Sequence, residues 1–185
     1  MKGFVIGIAW RTLADLPPTT HENETARPAH GSGVRFTRAG EYNGRMATYD
    51  PRYLAGVLFF NARDFFEAHE VWEDLWAESH GAERRFIQGL IQAAVGLFHF
   101  SGGNLGGAVK LYRSSRDYVE PCGSPFLGLD VTAFLRQMEG CFNPLLTTDR
   151  PDRSLRPDPE LVPVIALDPA PAAWPDPADF VSAED

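Results

Sequence analysis

At 185 residues, with 44% hydrophobic and 23% charged side chains, the chain has the composition of a globular protein built on one principal domain. A formal net charge of -8, from 17 basic and 25 acidic residues, excludes a general nucleic-acid binder, which needs a surplus of Lys and Arg to neutralise phosphates. Two cysteines, Cys122 and Cys141, make neither a disulfide framework nor a metal cluster and fit a cytoplasmic location.

Residues 1–48 mix Thr, Gly, Pro, Asn and charges without sustained periodicity and read as an irregular N-terminal extension, with a short ordered piece near Phe36. The opening "MKGFVIGIAW" makes a poor signal peptide, because Trp10-Arg11 follows where small residues should mark a cleavage site. Residues 49–146 should form a helical domain. Asp50-Pro51 is a helix start, an acid at the cap and Pro in the first turn. Asp64 with Glu67 three residues later predicts the next start as a variant capping box, for a helix running to Glu78 or Ser79 and stopped by Gly81. A third helix is expected over 82–101, ended by Gly102-Gly103. Asn104 then caps a fourth that ends at Pro121. Asp130 starts a fifth, closed by Asn143-Pro144. Strict alternation is missing throughout, so the expectation is an all-α bundle of about five helices with sequential neighbours antiparallel. The apolar run "FIQGLIQAAVGLFHF" is interrupted by Gln88, Gln92 and His99, which argues against a membrane span. Residues 147–185 form a Pro/Asp-rich tail, expected to be extended or disordered, with "LVPVIAL" lying along the core's surface.

Chemistry concentrates in "AHEVWEDLW", residues 68–76. His69 and Glu73, four apart, share a helix face, flanked by Phe65, Phe66, Trp72 and Trp76. The following helix carries a second polar stripe of Gln88, Gln92 and His99. Reflection about His80-Gly81 sets His69 level with Gln92 and Glu73 level with Gln88. The next hairpin brings His99 near Asn104, and Gln92 near Arg113. A cluster of His69, Glu73, Gln92 and His99, with Arg113 or Tyr112, is therefore expected, because unpaired buried polar groups cost about 1–3 kcal/mol each.

"FFEAHEVWEDLW" followed by "FIQGLIQAAVGLFHFSGGNLGGAVKLY" resembles the family called domain of unknown function 309, over roughly Tyr53 to Phe142. Its His-x-x-x-Glu-x-x-Trp pattern is met by His69, Glu73 and Trp76. The resemblance implies an all-α domain with a His/Glu/Trp site suspected of catalysis, and no assigned activity.

Two readings of the site follow. In one, a small molecule is bound or hydrolysed in a pocket with His69 and Glu73 as catalytic residues: Glu73, desolvated among aromatics, is the acid/base, and His69 its partner. Trp72, Trp76, Gln88, Gln92 and His99 would contact the substrate. In the other, the same residues are a structural hydrogen-bond network of a non-catalytic interaction module. No metal is assigned and the cofactor is unspecified. His69 and Glu73 supply two ligands where zinc wants three or four, so His99 or Glu70 would have to join, and Glu70 is rotated about 100° away, toward solvent. "HEVWE" carries Glu73 where a zincin has its second His. A small-molecule ligand is the expected partner. Trp174 and Phe180 in the tail suit docking on a partner or on a second copy of the chain, so a homo-oligomer is also open, and neither nucleic acid nor membrane is expected.

Overall fold

The computed structural model describes residues 48–148 and 151–181. The expectations for residues 1–47 lie outside the described residues. The domain is all-α: five helices, and among the described residues no strand beyond isolated bridges at Phe126, Leu129 and Leu167.

Helix α1 spans Pro51–Asn61. Asp50 caps it, its Oδ1 accepting the Arg52 amide at 2.8 Å. Burial alone would raise the Asp50 carboxyl, but hydrogen bonds from the Arg52 guanidinium and amide outweigh it and hold the group below the usual carboxylate range. The helix ends in a Schellman closure: the Arg63 amide bonds Phe60 O and the Asp64 amide bonds Phe59 O, with Arg63 at φ 68° in the position that usually takes glycine. Asp64 is thus committed to ending α1 as well as starting α2, Phe65–Glu78, and its side chain makes no capping bond. The predicted capping box is therefore not formed.

Helix α3 spans Gly81–Ser101. It begins at the left-handed Gly81 (φ 58°) that was expected to separate it from α2. Arg84 ties the two ends together, donating to the Trp76 carbonyl at 2.6 Å. This is the central helix, buried on nearly every side from Phe86 to Leu97. A second Schellman closure, Gly103 N to Phe100 O and Asn104 N to His99 O, turns the chain. Asn104 then caps α4, Leu105–Val119, through the Gly107 amide at 3.1 Å. The α3–α4 crossing is close because Gly89 has no side chain: a Cβ there would meet Val119 Cγ2 at 2.2 Å. Ser115 Oγ uses that proximity to donate to Gly89 O at 2.7 Å.

Helix α5, Val131–Leu146, is capped by Asp130 through the Ala133 amide at 3.0 Å. It does not close at Asn143-Pro144. Pro144 lies inside its last turn, where a proline disturbs little beyond the single bond its missing N–H would make to Gly140. Buried Leu145 keeps that turn on the core. Phe134, Met138, Cys141, Phe142 and Leu145 give α5 its apolar stripe, and the Phe142 ring stacks on Tyr112 at 4.9 Å.

The Pro-rich segment crosses these helices in extended form. Asn61 grips it, donating to Ile165 O and accepting from Ile165 N, each at 2.8 Å. Val164 N donates to Gln137 Oε1 and Asp168 N to Gly128 O. Ile165 is buried, so "LVPVIAL" contributes a side chain to the core and is more than a surface layer.

Candidate functional site

The amphipathic pattern of α2 decides which aromatic goes inward. Trp72 is fully buried, its Nε1 donating to Tyr53 O at 3.2 Å, and its indole fills the notch left by Gly56, where a Cβ would lie 2.1 Å from Nε1. That position is in the α1–α2 core, where the ring has no open face for a substrate. Trp76, one turn later, is half-buried beneath the Arg84 guanidinium, 3.6 Å from the ring centroid.

On the adjoining face stand His69, Glu70 and Glu73. His69 is only 3% exposed. Its Nδ1 bonds the Phe66 carbonyl one turn back, and its Nε2 lies 2.7 Å from Glu70 Oε1. A carbonyl can only accept, so Nδ1 carries the proton and Nε2 is the atom directed at the carboxylates. Burial pushes the imidazole below its ordinary pKa, against the pull of Glu70. Burial pushes the half-buried Glu73 carboxyl up, with the Glu70 and Asp74 charges adding to it. Glu70 is open, its side chain 53% exposed. One donor atom from each of the three lies within 4.8 Å of the others, a spacing that could hold a metal ion.

The glutamines are buried. Gln88 and Gln92 are 4% and 2% exposed, and Gln88 Nε2 and Gln92 Oε1, like the Tyr53 hydroxyl, have no hydrogen-bond partner. Neither of those two amide atoms therefore makes the bond to His69 or Glu73 that the hairpin reflection suggested. His99 is half-buried at the α3–α4 turn, its Nδ1 3.1 Å from Asn104 Nδ2, and burial lowers its pKa. It connects toward His69 through rings: Phe98 lies 6.1 Å from Phe66, whose ring stands edge-on to His69 at 4.9 Å. A cleft of about 220 Å³ between α4 and α5, near Arg116, Ser124 and Arg136, is lined by none of the residues the sequence singles out.

The sequence turns Glu70 toward solvent and sets Phe66 only beside the pair, so the contacts of Glu70 and of the Phe66 carbonyl with His69 were not expected. Facing angle hid Glu70, since its backbone does point toward solvent while its long side chain folds back. The i–3 spacing of Phe66 to His69 was the available signal for the carbonyl partner.

Residues 53–111 match the family model described as domain of unknown function (DUF309). This segment is similar to that family. It carries α1, α2, α3 and the first half of α4, and so contains the whole His69/Glu70/Glu73 group. Among curated relatives, the "Uncharacterized protein YpuF" of Bacillus subtilis (strain 168) is 34% identical over 103 residues, 54% of this chain and 59% of that protein. An "Uncharacterized protein" of Aquifex aeolicus (strain VF5) is 28% identical over 85 residues, 44% of this chain and 26% of that one. The chain thus covers less than two thirds of either relative. No helix of the described residues is long and apolar enough to cross a membrane.

Proposed function

We propose that the His69/Glu70/Glu73 group of the DUF309-like segment binds and hydrolyses a small polar molecule, with Glu73 as acid/base and His69 as its partner. The observation that carries this reading is the gradation across one helical turn. His69 is buried and its ring is set by the Phe66 carbonyl, Glu73 is half-buried, and Glu70 is open to solvent. A group that only joined helices would have no use for an open end. A group that meets a ligand needs one fixed member and one accessible member. Phe66, 37% exposed beside His69, offers an apolar edge for the non-polar part of the ligand.

The test measures stability and turnover together in His69→Ala and Glu73→Gln, with chromogenic carboxylic and phosphoric esters as substrates. The expected result is hydrolysis by the wild type, lost in both variants, with stability unchanged or raised, since residues held for function are often held at a cost. Loss of about 1–3 kcal/mol of stability in both variants, with no ester hydrolysed by the wild type, would overturn the reading in favour of a structural network.

A further inference from the structure

We infer that the cleft between α4 and α5 binds a free, zwitterionic α-amino acid with a short apolar side chain. None of His69, Glu70 and Glu73 lines this cleft. Every residue that does lies after position 111, beyond the segment that matches the family.

The cleft follows from how the two helices meet. They touch where the Tyr112 and Phe142 rings stack at 4.9 Å. Beyond that stack, toward the turn at Gly123 that joins them, a space of about 220 Å³ opens. At about 30 Å³ per water it has the volume of roughly seven water molecules, the size of a small amino acid. Val131 and Leu135, from the inner side of α5, give it an apolar lining. That lining suits a short aliphatic side chain.

The charges around it come in opposite pairs, one pair from each helix. Arg136 and Glu139 stand three apart on α5, close enough on a helix to reach each other. They form no ion pair, and neither makes a hydrogen bond to any described residue. Both are exposed, so their charges meet a ligand without being stripped of water beforehand. Across the cleft, Arg116 and Glu120 do pair, at 3.4 and 3.5 Å. Those contacts are long for charge-assisted bonds, and a half-exposed pair of this kind contributes little. A ligand carboxylate can therefore share the Arg116 guanidinium with Glu120. The Thr132 hydroxyl, at the same opening, is a further donor.

Charge balance selects the ligand. Two guanidiniums and two carboxylates line the space, and Asp130 adds a negative charge at the start of α5, where it already holds the Ala133 amide and the Ser124 hydroxyl. A phosphate would meet three carboxylates, and a metal cation two guanidiniums. A molecule with a carboxylate and an ammonium on one carbon matches both signs. Its carboxylate goes between Arg136 and Arg116, and its ammonium to Glu139 and Glu120.

The experiment is calorimetric titration of the full chain with L-valine, N-acetyl-L-valine and L-valinamide. The second ligand lacks the cation and the third the carboxylate. L-Valine should saturate one site, and each capped form should bind about tenfold or more weaker, having lost a charge-assisted hydrogen bond. Arg136→Gln, an exposed substitution, should lower L-valine affinity about tenfold, toward that of L-valinamide. Glu139→Gln, also exposed, should lower it toward that of N-acetyl-L-valine. The inference is overturned by the absence of saturable heat at millimolar L-valine, by capped forms that bind as tightly as L-valine, or by variants that bind it like the wild type.

Discussion

Two polar groups stand within the first three helices, and they are built on opposite plans. Tyr53, Gln88 and Gln92 are sealed inside, each with a polar atom that bonds to nothing. His69, Glu70 and Glu73 run from a buried, hydrogen-bonded imidazole to a carboxylate in solvent. The difference teaches where function can reside. Sealed amides cost stability and can meet no ligand, whereas the graded group spends its polarity at the surface, where a ligand can meet it. Of the polar residues read together from sequence, His69, Gln88 and Gln92 are all buried, and only the first belongs to a group that reaches solvent.

The comparison can be broken from its inner side first. Trp72 joins α2 to the Tyr53 carbonyl, and Trp72→Ala should cost about 3–5 kcal/mol in urea unfolding, as large aromatic deletions do. A cost under about 1 kcal/mol would mean the ring is not core. Gly56→Ala attacks the same seam by overpacking, since its new Cβ would meet the indole at 2.1 Å. A loss of about 1–3 kcal/mol in thermal unfolding is expected. Gln92→Met tests the sealed group itself. Removing an amide whose oxygen is unbonded should change stability by no more than about 1 kcal/mol, in either direction. A loss above about 2 kcal/mol would place Gln92 in a satisfied network and erase the contrast. At the open end, Glu70→Gln should shift stability by less than about 0.5 kcal/mol, as exposed substitutions do. A larger loss would make Glu70 a structural residue and remove the gradation.

Much of the fold was legible because it is local. The caps at Asp50, Asn104 and Asp130 and the breaks at Gly81 and Gly102-Gly103 are decided within a few residues. Asp64 shows the limit: one residue serves two helices, and closing the first leaves its carboxylate off the second. Pro144 shows another, since burial of Leu145 carries the helix past a residue that propensity alone would make its end. At the site, the i, i+4 rule found His69 and Glu73, but Glu70 joins through side-chain reach, which a helical projection cannot express. Whether Trp72 or Trp76 turns inward depended on the Gly56 notch one helix away. Likewise the hairpin reflection aligned the glutamines by height along α3 but carried no information on depth.

Asn61 holds both backbone groups of Ile165 with one amide, bonding that residue as a neighbouring strand would, with no strand present. The segment beyond the last helix is therefore a fixed reporter position. Val164, exposed and next to the clip, is a place where a spin label on Val164→Cys would tumble at the rate of the helical body, and where its spectrum would register any ligand that tightens or loosens α1.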